Sequence, residues 1–371
     1  MRLGWMGVGL LLALTPVAAI GTAAAESLQV YTWADYFPPD AVARFEAETG
    51  IKVQFNNYES VEMPETKLLA GGSGFDLVIT AGYTVPRLIQ SGALREIDRG
   101  KLTNFASLDP AFLEKLRKLD PGTRFAVPYN WGTTGIIINK AKVVERLGAD
   151  APFDSLSLLL DPKNAEKLAD CGIAVVDSGP DLINEAMFYN GVGDIFRPTD
   201  AEMVASAKTL AAIRPHIRYF DNVRYRQDMA DGEICAAIGW SMDAGLARTI
   251  AAEAGLAHAK DITFIRPKEG SVLWADHLVI PNDAGNVAGA EAFIDFLMRP
   301  DVAGEIVTVV RTSSPNSKAA ENVSAELQAD STIFPPQGWL QTQIDLDTFD
   351  LKVQRDINRY YTLVKANETI E

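Results

Sequence analysis

The sequence predicts an α/β protein made of two units. Three observations carry this expectation. A chain of 371 residues is long enough for two domains of ordinary size. Short β-type runs alternate with helix-type segments from Leu28 onward, the order that builds a mostly parallel sheet with helices packed on it. The alternation then restarts after Tyr129-Asn130-Trp131-Gly132-Thr133-Thr134-Gly135. A composition of 47% hydrophobic and 22% charged residues supplies a large core and rules out intrinsic disorder and a fibrous repeat.

Residues 1–25 read as an export signal: Arg2 gives the positive end, Leu3–Ile20 the apolar run, and Ala23-Ala24-Ala25 a small-residue cleavage site. Thr15 and Pro16 interrupt the run and no stop-transfer charges follow, which favours a leader over a membrane anchor. No cysteine lies near the cleavage point to carry a lipid.

The exported part opens with a β-run at Leu28–Thr32. A helix over Asp40–Thr49 follows, with Val42 and Phe45 on one face and Gly50 as its C-cap. Ile51–Phe55 alternates like a half-buried strand. Gly71-Gly72 stops the segment ending in Leu68-Leu69-Ala70, and Phe75–Thr80 reads as a strand covered on both faces. In the second unit, Ile136–Asn139, Ile173–Asp177, Ile234–Gly239 and Ser271–Ile280 are strand candidates. Lys140–Leu147, Ala201–Ile213 and Ala288–Met298 are helix candidates. Ligands of open α/β sheets bind beyond the carboxyl ends of strands, so the residues just after these runs matter most.

Thirty-four basic against 49 acidic residues give a net charge of −15. Such a surface repels phosphate backbones and anionic headgroups, which argues against nucleic acid and membrane surfaces as partners but leaves small cations open. Cys171 and Cys235 are an even pair in an exported chain and read either as one disulfide, closing a loop of about 63 residues, or as two buried thiols. His216, His258 and His277 are scattered without metal-ligand spacing, and G-x-S-x-G is missing. Gly71-Gly72-Ser73-Gly74 lacks the Lys-Ser/Thr ending of a phosphate loop and reads as a turn. Tyr360-Tyr361 sits in a C-terminal helix and reads as packing. Paired aspartates leave an exported carboxylate-based hydrolase as the enzyme alternative.

Three of the five tryptophans beyond the leader precede a carboxylate by two or three positions: Trp33 with Asp35, Trp240 with Asp243, Trp274 with Asp276. Positions i and i+2 of an extended segment project to one side, and positions three apart share a face where a helix starts. An indole face beside a carboxylate suits a cation with an apolar body, since methylenes stack on the ring while the carboxylate takes the ammonium hydrogens. Acidic residues form about 13% of the chain, so composition alone gives each tryptophan such a neighbour roughly one time in three. Core packing of each indole is the competing reading.

At this point the chain resembles the periplasmic polyamine-binding proteins of bacterial ABC importers, and most closely their putrescine-binding members. The resemblance rests on V-Y-T-W-A-D-Y near Trp33, F-E-A-E-T-G-I-K-V, G-F-D-L-V-I, P-Y-N-W-G-T-T-G-I near Trp131, R-P-H-I-R-Y-F, G-E-I-C-A-A-I-G-W-S-M-D and F-L-M-R-P-D-V, in that order. It implies two α/β lobes with mixed, mostly parallel sheets joined by hinge crossovers: residues 26–132 plus about 248–302 in one lobe, 133–247 plus about 303–371 in the other. It also implies an aromatic box with carboxylates at the amine ends. Trp33, Asp35, Tyr36, Asp181, Trp240, Asp243, Trp274 and Asp276 match the binding segments. Cys171 and Cys235 match a disulfide pair. Ala34 and Ala81 stand where hydroxyl residues are expected, and Ser313 stands where a tyrosine is usual, which would open one wall. Tyr83 could fill space from the other lobe. The implied function is capture of a polyamine of the putrescine or spermidine class in the periplasm by a monomeric, non-catalytic receptor. It would use no cofactor or metal and deliver to an inner-membrane ABC permease. A receptor for another cationic amine is the alternative within the class.

Overall fold

A computed structural model describes Met1, residues 27–336 and residues 338–371. The expected leader lies, Met1 apart, outside them. Among the described residues there are nine strands: β1 (Ser27–Thr32), β2 (Lys52–Asn57), β3 (Leu77–Ala81), β4 (Ala126–Asn139), β5 (Ile173–Val175), β6 (Ile217–Phe220), β7 (Ala236–Trp240), β8 (Ile262–Ile265) and β9 (Leu273–Val279). They hydrogen-bond in the order β2-β1-β3-β9-β4-β7-β5-β6, with β8 also on β4. The ladders of β1 with β2 and β3, and of β5 with β6 and β7, are parallel. Every ladder that involves β9 or β4 is antiparallel. The sheet is therefore mixed, with parallel wings and an antiparallel centre.

That centre is where the two lobes meet. All fourteen residues of β4 are buried. Its first half, Ala126–Thr133, pairs with β9, and its second half, Thr134–Asn139, pairs with β7 and β8. One strand thus serves both wings of the sheet and crosses between lobes near Thr133-Thr134. The crossing depends on glycines that let other groups approach the backbone. A Cβ on Gly132 would lie 2.3 Å from Cζ2 of Trp274, and one on Gly135 would lie 2.6 Å from the Ile265 carbonyl oxygen.

Each lobe has its own apolar core. In the first, Leu28 and Val30 of β1 and Leu77 and Ile79 of β3 pack with Phe45, Phe293 and Ile294. Phe45 lies on the helix Pro39–Thr49, which starts with Pro at its first position and ends at Gly50, whose φ of 75° lets its N–H reach the Glu46 carbonyl. In the second, Ile136–Ile138, Ile173, Val175 and Ile238 pack with Ile183, Val353 and Ile357.

Packing divides the chain differently from the sequence expectation at two places. Ala251, Ile262 and Ile265 belong to the second core, because β8 pairs with the second half of β4. Val302, Ile306 and Val310 belong to the first core, Ala319, Leu327 and Ile333 pack on the same helix, and Leu346 packs on Leu273 and Trp131. The second core resumes at Phe349. The chain therefore crosses between lobes three times: within β4, between β8 and β9, and near residues 346–349. Cys171 and Cys235 form a disulfide with Cα atoms 5.5 Å apart, joining the approaches to the adjacent strands β5 and β7.

Candidate functional site

The carboxyl ends of β1, β3, β5, β6 and β7 converge, with β9, on a cleft of about 650 Å³ between the lobes. Trp33, Asp35, Tyr36, Tyr83, Asp181, Trp240, Asp243, Trp274 and Asp276 all border it.

Three buried aspartates form its polar part. Asp181 lies in the first turn of the helix Gly179–Tyr189, whose N-cap is Ser178. Its Oδ1 accepts from the Thr134 hydroxyl at 2.5 Å, and its Oδ2 accepts from the Ser178 hydroxyl at 2.5 Å and from Trp240 Nε1 at 3.4 Å. Burial raises its pKa despite these bonds. Asp243 lies in the first turn of the helix Ser241–Glu253. One of its oxygens accepts from the Tyr225 hydroxyl, and the other stands 3.3 Å from Arg226 Nε. Burial outweighs both attractions and pushes Asp243 up to about 6. Asp276 lies on β9, where its Oδ2 accepts from the Tyr36 hydroxyl at 2.6 Å. Asp276 Oδ1 has no hydrogen-bond partner among the described residues. Burial, with the nearby charge of Asp181, pushes Asp276 up to about 7.

Indoles surround these groups. Trp33 and Trp240 face each other from opposite lobes, ring centroids 6.1 Å apart, and Trp33 also meets Tyr58 edge-on at 4.5 Å. Trp274 lies over Gly132, and its Nε1 is buried without a partner among the described residues. Tyr83 borders the cleft, its ring 5.6 Å from that of Phe349. Ala34 and Ala81 border it too, so no hydroxyl is offered at those positions.

Two expectations change. Trp33 and Asp35 were expected to share a side as i and i+2 of a strand. However, β1 ends at Thr32, and Asp35 is exposed in the left-handed region with φ 56°. It lies at the rim, apart from the three buried carboxylates. Ser313 does not face the cleft. It is buried, its hydroxyl donates to the Ile333 carbonyl at 2.5 Å, and its backbone pairs with Trp131 at 2.9 and 3.0 Å. Leu346 and Phe349 line the cleft instead.

Several residues that line the cleft, or that hold lining residues in place, gave no signal in the sequence. Arg226 and Tyr225 follow β6, a strand of four residues that the alternation did not single out. Tyr58 follows β2, and Asn130, whose Oδ1 lies 3.0 Å from the Tyr36 hydroxyl, sits in the unpredicted first half of β4. The Tyr360-Tyr361 pair splits as adjacent helical residues must, and the Tyr361 hydroxyl donates to Asp177. Among the described residues no group of three or more metal-ligating side chains is placed to hold an ion, and no helix is long and apolar enough to cross a membrane.

Residues 40–336 match the family described as bacterial extracellular solute-binding protein. The chain is 38% identical over 366 residues to the putrescine-binding periplasmic protein PotF of Escherichia coli, covering 98% of each chain. It is 35% identical over 363 residues to the putrescine/agmatine-binding protein of Pseudomonas aeruginosa, covering 96% of this chain and 98% of that one. In fold it matches the spermidine/putrescine ABC transporter substrate-binding protein PotD of Streptococcus pneumoniae with a TM-score of 0.75 and 24% identity, over 93% of this chain and all of that one. These relatives are binding proteins of transport systems, not enzymes. The two lobes and the cleft between them are those of a receptor for a small solute, and the chain belongs to the bacterial extracellular solute-binding protein family.

Proposed function

We propose that this chain is the periplasmic receptor of an ABC importer and captures an aliphatic amine of the polyamine class, putrescine or spermidine in kind, for delivery to an inner-membrane permease. The observation that carries the proposal is Asp276: a buried carboxylate with one oxygen free, in a cleft bordered by Trp33, Trp240 and Trp274. An ammonium on that oxygen exchanges one hydrogen bond to water for a stronger, charge-assisted one. The indoles then take the methylene chain, and each adds about 0.5–2 kcal/mol where a cationic end lies over its face. Tyr36 holds the carboxylate in place through its other oxygen. The relatives named for putrescine, and the export signal read at residues 1–25, support the same assignment. The receptor acts as a monomer that closes its lobes around the amine.

Isothermal calorimetry on protein unfolded, freed of ligand and refolded tests this. Putrescine, spermidine, spermine, cadaverine and agmatine are the titrants, and saturable one-site binding by at least one is the expected result. No heat from any of them overturns the proposal.

A further inference from the structure

Hydrogen bonds at the cleft carboxylates leave an asymmetry that a simple diamine does not match. Both oxygens of Asp181 are engaged by protein donors, and both oxygens of Asp243 face Tyr225 and Arg226. Of the three buried carboxylates, Asp276 alone offers an oxygen with no partner among the described residues. Among its buried carboxylates the cleft therefore presents one open acceptor for a cation, with Asp35 and Glu59 exposed at its border.

It also presents an open donor. Arg226 borders the cleft, and its Nε is directed at Asp243 Oδ1, at 3.3 Å, and at the Val223 carbonyl, at 3.4 Å. Its Nη1 and Nη2 have no hydrogen-bond partner among the described residues. These nitrogens carry four N–H groups in a planar fork that fits a carbonyl or carboxylate oxygen. A second ammonium brought to Asp243 would meet a carboxylate already paired, beside a fixed positive charge that repels it. An oxygen acceptor in the same place would complete the fork.

We infer that the preferred ligand carries an ammonium at one end, held by Asp276, and an oxygen acceptor at the other, held by the terminal nitrogens of Arg226. This deepens the proposed function and rests on its amine reading. The chemical class is a linear amine whose far end bears a carbonyl or carboxylate, such as an N-acylated diamine or an ω-amino acid. Asp276 belongs to the first lobe and Arg226 to the second, beside the core residues Tyr225 and Met229. A ligand gripped at both ends thus ties the lobes together.

Calorimetry on the ligand-free mature chain with putrescine, N-acetylputrescine and 4-aminobutyrate, repeated on Arg226→Gln, is the test. At least one of the two acceptor-bearing amines binds the native protein tenfold or more tightly than putrescine does. Which of them leads tells a carbonyl end from a carboxylate end. Arg226→Gln removes that preference, weakening the acceptor-bearing amine tenfold or more while putrescine holds or improves. The preference in the native protein is read without any variant, so it stands even if Arg226→Gln fails to fold. Putrescine binding as tightly as both others, or losing as much affinity as they do in Arg226→Gln, overturns the inference and leaves the proposed function intact. Silence from all three, together with silence from the wider polyamine panel, overturns both.

Discussion

Asp276 is a residue whose burial costs stability and, in the proposed function, supplies binding. Desolvation holds its pKa at about 7, far above the ordinary aspartate range, and Asp243 at about 6. A carboxylate that is harder to ionise folded than unfolded binds more protons in the folded state. Its contribution to stability is therefore fully present below pH 4 and lost as pH rises from about 4 to about 7. Without ligand, Asp276→Asn should melt at a higher temperature than the native protein at pH 8, by roughly 2 °C or more. The same variant should lose amine affinity by about 2–5 kcal/mol, the usual cost of breaking a buried charge pair. Thermal melts and calorimetry measure both, and a variant that melts lower while binding normally contradicts the assignment. Because an ammonium binds the ionised carboxylate, binding near pH 6 should release up to one proton per ligand. Titrations in buffers of different ionisation enthalpy read that number directly, and proton uptake would be the wrong sign.

At the scale of elements, β4 organises the site by pairing with β9 in one lobe and with β7 and β8 in the other. Trp274 can lie across it only because residue 132 is glycine. Gly132→Ala should displace the indole and weaken amine binding about tenfold or more while circular dichroism stays native; unchanged affinity would show that the Trp274 position is dispensable. The disulfide fixes the second lobe through β5 and β7. Cys171→Ser with Cys235→Ser should lower stability by roughly 2–5 kcal/mol in denaturant melts. Most strands were legible in the sequence where apolar residues ran in β-type stretches of five or more, as in Leu28–Thr32 and Phe75–Thr80. The strands β6 and β8 have four residues each and mix Arg218, Tyr219 and Thr263 into the apolar run, which leaves too little period to detect. The first half of β4, with Pro128, Asn130 and Thr133, is a strand only because β9 pairs with it.

At the scale of the molecule, the cleft exists because three chain crossings hold two cores side by side, with the strand ends aimed at the gap. The segments Trp240–Asp243 and Trp274–Asp276 were legible as cleft-lining segments because residues i and i+2 share a side in β9, and residues three apart share one at the start of the helix Ser241–Glu253. Asp35 and Ser313 were not, since Asp35 sits in a left-handed turn beyond the end of β1 and the backbone of Ser313 pairs with Trp131, far along the chain. Arg226 left no mark in the sequence at all, because only the fold brings its Nε to Asp243 and its side chain to the cleft. Across the cleft the lobes also touch through Asn222 Nδ2, which donates to the Glu59 carbonyl at 3.3 Å, and through Arg87 Nη1, which donates to Gln354 Oε1 at 2.7 Å. Bonds of this kind net about 0.5–3 kcal/mol each and are few enough here for a bound amine to tip the lobes toward closure. Small-angle scattering should therefore show a radius of gyration that falls when a bound amine is added; an unchanged value would mean the lobes do not close on ligand.

The central claim is that Asp276 anchors an amine between the lobes, and a crystal structure with a bound amine tests it most directly. The account predicts an ammonium nitrogen about 2.7–3.0 Å from Asp276 Oδ1, with methylenes against Trp33, Trp240 or Trp274. An amine bound elsewhere, or one in the cleft with Asp276 Oδ1 turned away from it, would contradict that claim.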